Sequence, residues 1–131
     1  MDYSLLGWIN VLILGTLIAP YILNFLNRNF IKTRNKQYLK VIKVLRKAHK
    51  PLGIALVVFG LIHGYMALGS LRLHTGTLFY ISIFITVTLG GSFYKTKKRA
   101  FLLWHRRMAL LTVALFLLHL LAPGAIYYLL R

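Results

Sequence analysis

The sequence predicts an all-α membrane protein, a four-transmembrane-helix bundle with N and C termini both extracytoplasmic, and three observations carry that prediction. Of its 131 residues, 59% are apolar and the mean hydropathy is +0.71, a composition that points to the membrane class. The apolar residues gather into four runs of roughly twenty, the length that about 30 Å of hydrocarbon demands of a helix. The charges are segregated: 17 Lys and Arg stand against a single acidic residue, for a formal net charge of +16, and nearly all of them fall in two of the connections.

The first span covers about residues 5–26, with Pro20 expected to kink it near its inner end. No Lys or Arg precedes it and no small-residue cleavage site follows, so it reads as a retained span and not a signal peptide. A cytoplasmic basic loop over 27–50 follows, with nine Lys and Arg between Arg28 and Lys50. Tyr38, Leu39, Ile42 and Leu45 recur there at helical spacing, which leaves two readings open: an amphipathic helix lying at the headgroups, or a solvated linker. The second span covers about 51–68. The third, about 73–94, follows a very short connection through Gly69-Ser70, so the two form an antiparallel hairpin. Its Thr, Ser and β-branched residues would read as strand in water, but some twenty residues without charge predict a helix in lipid. A second basic cluster holds Lys95, Lys97, Lys98, Arg99, Arg106 and Arg107. The fourth span, about 101–122, stops at Pro123-Gly124, and Tyr127 and Tyr128 suit the membrane interface. Residues 1–131 are thus read as a single transmembrane domain.

Nine cations in one inner connection and six in the other, against Arg72 and Arg131 elsewhere, set the orientation by the positive-inside rule. The same rule explains the net charge without a nucleic-acid partner. Zero cysteines remove disulfides, thiolate zinc sites, iron–sulfur clusters and covalent haem attachment. The one acidic residue, Asp2, lies outside the spans, so no buried carboxylate is available for acid–base catalysis or a proton relay.

Four of the five histidines form two pairs, His49 with His63 and His105 with His119, each with thirteen residues between its members. On a helix such a separation leaves the second ring only about 40° from the first and about 21 Å further along the axis. The second and fourth spans run in the same direction, so His49 is level with His105 toward the cytoplasm, and His63 with His119 toward the outer leaflet. Two nitrogens per level suit a six-coordinate haem iron, whose other four ligands belong to the porphyrin, whereas zinc needs its ligands convergent. The quartet is therefore read as the ligands of two non-covalent b-type haems. A single membrane histidine is as readily a hydrogen bond between helices, and His74, in the outer turn, is read as an interfacial residue. Gly53 and Gly60 project within about 40° of the His49 direction and offer clearance for a flat macrocycle, or simply close helix packing. Ala109, Thr112 and Phe116 share the face of the fourth span. Lys47, Lys50, Arg106 and Arg107 are placed to meet propionates of an inner haem, and Arg72 those of an outer one, besides their topogenic role.

The stretch His49-Lys-Pro-Leu-Gly53 leading to His63, and Trp104-His105-Arg106-Arg107 leading to His119 with one helix between, resembles the transmembrane cytochrome b core of the ferric reductase and NADPH oxidase family over roughly residues 45–122. The resemblance implies that His49 and His105 hold one haem iron and His63 and His119 another. It also implies that electrons pass from a cytoplasmic donor to an extracytoplasmic acceptor. Family members commonly have six spans and many carry a flavin domain; four spans without one imply a separate donor, a flavoprotein or a membrane quinol. A haem-bearing anchor for a quinone-linked dehydrogenase and a haem-free membrane scaffold are the competing readings. The expected location is a bacterial or archaeal plasma membrane. Pro51, two residues after His49, is expected to disturb the helix there and to place the inner ligand on a kink or before the span.

Overall fold

The computed structural model describes residues 2–70 and 72–131, and these are helical with short connections. Helix α1 spans Tyr3–Leu26, α2 Lys36–Leu68, α3 Thr75–Thr96, α4 Arg99–Leu121 and the short α5 Ala125–Leu129; a π-helical turn at Asn27–Ile31 follows α1. Helices α1 to α4 are long and apolar enough to cross a membrane, and no strand occurs among the described residues. The Thr- and Ser-rich third run is thus a helix, as its uncharged length requires. The chain is an all-α membrane protein. It divides into two compact units, Met1–Phe59 and Gly60–Arg131, with α2 passing from one into the other.

In the first unit, Asp2 caps α1 by accepting from the Ser4 N–H at 3.3 Å. Leu6, Asn10, Leu14, Leu17 and Pro20 are buried and fall on one face of α1, whereas Trp8, Leu12, Ile22 and Phe25 are exposed, the pattern of a helix with a lipid-facing side. The turn to α2 is tied by Asn27, whose side chain accepts from the Thr33 N–H at 2.8 Å and donates to the Thr33 carbonyl at 3.3 Å. Lys32 sits there with φ at 50°, in the left-handed region.

Two expectations change at α2. The helix begins at Lys36, fifteen residues before the expected span, so the amphipathic segment does form but continues directly into the span. Pro51 lies inside it. His49 is consequently a helical residue, and no break precedes the span. Pro51 cannot donate to the Lys47 carbonyl, a cost of about 3 kcal/mol in an isolated helix interior, and the helical segments on both sides carry it. Tyr38 donates its hydroxyl to the Leu23 carbonyl of α1 at 2.7 Å, Ile42 is buried, and the His49 ring meets Tyr21 edge-on at 5.6 Å. These residues share one face. Lys36, Lys40, Lys43, Arg46, Lys47 and Lys50 are exposed and fall within about 120° of arc, centred about 120° around the helix from that face.

In the second unit α3 and α4 make the principal helix–helix interface. They are joined only by Lys97-Lys98, with Lys97 left-handed at φ 57° and its ammonium 4.3 Å from the Tyr94 ring centroid. The face of α3 toward α4 is small and hydroxyl-bearing: Thr75 and Ser82 are buried beside Ile83. At mid-span Thr86 and Thr112 approach hydroxyl to hydroxyl at 3.0 Å, and each also reaches the carbonyl one turn back, Ser82 at 2.7 Å and Met108 at 2.8 Å. Two hydroxyl protons serve these three contacts, so one carbonyl bond yields whenever the helices are pinned together.

The left-handed Lys32 carries a Cβ penalty that glycine lacks. Lys32→Gly is expected to raise stability by about 1 kcal/mol, read as a higher thermal midpoint in detergent.

Candidate functional site

Helix α4 points both of its histidines at α3. His105 Nδ1 lies 2.7 Å from the Thr86 carbonyl oxygen; a carbonyl only accepts, so this nitrogen carries the proton. The approach is open because the residue one turn on from Thr86 is Gly90: a Cβ there would stand 3.0 Å from His105 Nδ1 and 3.1 Å from its Cε1. His119 Nδ1 lies 3.1 Å from the Thr75 hydroxyl, which spends its one proton on the Pro123 carbonyl at 2.7 Å. Thr75 therefore accepts, and His119 Nδ1 also carries the proton. A Cβ at Gly76 would stand 3.0 Å from His119 Cε1. The glycines are fourteen residues apart, as are the histidines, and antiparallel packing matches one pair to the other.

Around His119 the ring of Phe79 stacks at 6.1 Å with an interplanar angle of 25°, and Phe116 packs against Phe79 at 5.6 Å. His63, on the outer end of α2, and His119, on α4, both belong to the second unit. His74 has a role not anticipated: it caps α3, accepting from the Gly76 N–H at 3.1 Å, and meets His119 edge-on at 5.8 Å. His49 belongs to the other unit, against Tyr21.

The remaining expected site residues are less closely tied to the histidines. Gly53 is half-buried in α2. The clearance at Gly60 is taken by the Tyr80 ring of α3, 3.3 Å from where a Cβ would stand. Arg72 is exposed beside the start of α3, its Nε donating to the Ser70 hydroxyl at 2.9 Å and its carbonyl accepting from Thr77 at 2.5 Å. Arg106 is exposed; Arg107 covers the Trp104 ring at 5.1 Å. Among the described residues no three His, Cys, Asp or Glu side chains are grouped to hold a metal ion.

The residues that sequence reasoning missed are the seats of the histidines: Thr75, Gly76, Thr86 and Gly90. Their signal was available in the repeat of the fourteen-residue interval from His105–His119 to Gly76–Gly90. Asn10 was also missed. It is 9% exposed on the buried face of α1, and among the described residues neither amide atom has a hydrogen-bond partner.

Fold and site together define an all-α membrane protein in which two span histidines are seated on glycines of the neighbouring helix, with their Nδ1 protons bound. Compared with protein-family models, with curated proteins and with solved structures, the chain matches none.

A buried unpaired amide costs about 1–3 kcal/mol, and an apolar replacement of similar shape removes that cost. Asn10→Leu is expected to raise the thermal midpoint of the purified protein; a lowered midpoint would mean that the amide has a partner in the working protein.

Proposed function

We propose that this protein carries electrons across a membrane through two b-type haems, held by His49 with His105 on the cytoplasmic side and by His63 with His119 on the outer side. The observation that carries the proposal is the state of the α4 histidines. An imidazole that donates through Nδ1 keeps its lone pair on Nε2, the nitrogen a haem iron takes, and metal-bound histidines characteristically donate their other N–H to a carbonyl or similar acceptor. His63 and His119 belong to the same unit, which supports the outer pair. On donor chemistry, then, the residues fit the group. The fourteen-residue interval in α2 and in α4 supports the matching of inner and outer levels.

Bound haem supplies reversible one-electron exchange at iron, without a proton acceptor in the protein. The chain's own residues do the rest. Phe79 and Phe116 shield the outer level from water beside His119. Tyr80 lies against Gly60, so a macrocycle on that face of α2 would require its ring to turn away. Arg72 at the outer turn and Arg106 at the start of α4 are the cations that meet propionates. The basic connections lie in the cytoplasm by the positive-inside rule, and both termini lie outside. A separate flavoprotein or a quinol delivers the electrons, and the acceptor is extracytoplasmic. This makes the chain a relative in kind of the ferric reductase membrane core, in a bacterial or archaeal plasma membrane.

Protein purified from haem-replete cells and reduced with dithionite is expected to show b-type absorption bands, with two haems per chain by pyridine haemochrome. His63→Ala or His119→Ala is expected to remove one haem and leave the other. A colourless preparation would overturn the proposal.

A further inference from the structure

We propose that α3, which supplies no haem ligand, is the element that tunes both haems, through two positioning residues: Thr75 for the outer site and Gly90 for the inner. The inference rests on the haem reading above and goes beyond it, because it assigns to named side chains the control of each site's reduction potential.

The two seats differ chemically. His119 is bound by a side-chain hydroxyl, at 3.1 Å, and that hydroxyl is itself fixed by its bond to the Pro123 carbonyl just beyond α4. One oxygen thus links the start of α3, the ligand ring and the end of α4. Thr75 is only 1% exposed, so water does not replace it. His105 is bound by a main-chain carbonyl, at the shorter distance of 2.7 Å. In a helix the carbonyl of residue i is screened by the side chain of residue i+4, and here that residue, counted from Thr86, is Gly90. The absent side chain uncovers an acceptor already engaged in the helix for a second bond, which its second lone pair allows. A Cβ at Gly90 would overlap the ring at 3.0–3.1 Å and push Nδ1 away from the oxygen.

An acceptor on Nδ1–H makes the imidazole a stronger donor through Nε2, which favours ferric over ferrous iron and lowers the potential. Each seat acts on its own ring, and the two are separated by about 21 Å along the helix. Weakening one seat therefore raises the potential of one haem only.

The test is a potentiometric titration of the two haems in wild type, Thr75→Val, Thr75→Ser and Gly90→Ala. Thr75→Val is expected to shift one midpoint upward and leave the other in place. Thr75→Ser keeps the hydroxyl and is expected to hold both midpoints at wild-type values. Gly90→Ala is expected to raise the midpoint that Thr75→Val leaves alone. A Thr75→Val protein with unchanged midpoints, or with both shifted equally, would overturn the assignment. Should Gly90→Ala fail to fold, the Thr75 pair decides the outer seat and the nitrogen spectra the inner. The seats are also read without haem, by ¹⁵N spectra of histidine-labelled apoprotein with His105→Gln and His119→Gln for assignment. Wild type is expected to show Nδ1–H for both rings, and Thr75→Val a loss of that preference at His119 alone. Absence of haem from the wild type would sink the proposed function, whereas an Nε2–H tautomer at either ring sinks the seat.

Discussion

Everything in the second unit follows from one constraint: inside a membrane, a polar group has no water to turn to and must be satisfied by the protein itself. A helix settles its own main chain in this way, but imidazoles and hydroxyls on its surface remain. The α3–α4 interface answers with Thr75, Thr86, Thr112, His105 and His119 bonded to one another or to carbonyls along the contact. Close approach is the condition for these bonds, and it is met where α3 has glycine. The small residues and the polar residues are therefore one device: the first admits the second. Lipid offers little hydrophobic drive between helices, so this packing and bonding must itself hold the pair together.

Much of the fold was legible in the sequence because hydrocarbon thickness and charge placement are coarse rules that composition obeys directly. The four runs became four helices with ends within a few residues of expectation, except at α2, where the helix starts at Lys36. Two local rules failed there together. Proline is a poor helix residue in isolation, yet Pro51 is carried by the turns before and after it. The Tyr38 and Ile42 face found its partner on α1, so the segment had no need of the headgroups. The first outcome is decided by the length of helix on either side of the proline and the second by tertiary contact, and periodicity encodes neither.

The site was legible to a different degree. Histidine spacing needed only helix geometry, and the structure does place His49 and His63 on one helix and His105 and His119 on another. The seats were not legible, because a glycine in a membrane helix is common and carries no address. Gly60 was singled out for clearance, yet the structure fills that space with Tyr80, while Gly76 and Gly90, on a helix without a ligand, receive the imidazoles. His74 was read from its position as an interfacial residue, and it caps α3. Only the repeated interval of fourteen, sought on the helix between the histidine-bearing ones, would have pointed to α3.

The two-residue joint at Lys97-Lys98 bears on how the molecule assembles. Closing so short a connection costs little chain entropy, and the contacts it brings together are near in sequence, so helices α3 and α4 are suited to meet early in folding. Thr86 meets Thr112 across only 26 positions, and Thr86 meets His105 across 19. The contacts that seat both imidazoles, His105 on Thr86 and His119 on Thr75, lie within this hairpin. A hairpin formed first would therefore carry both rings already turned.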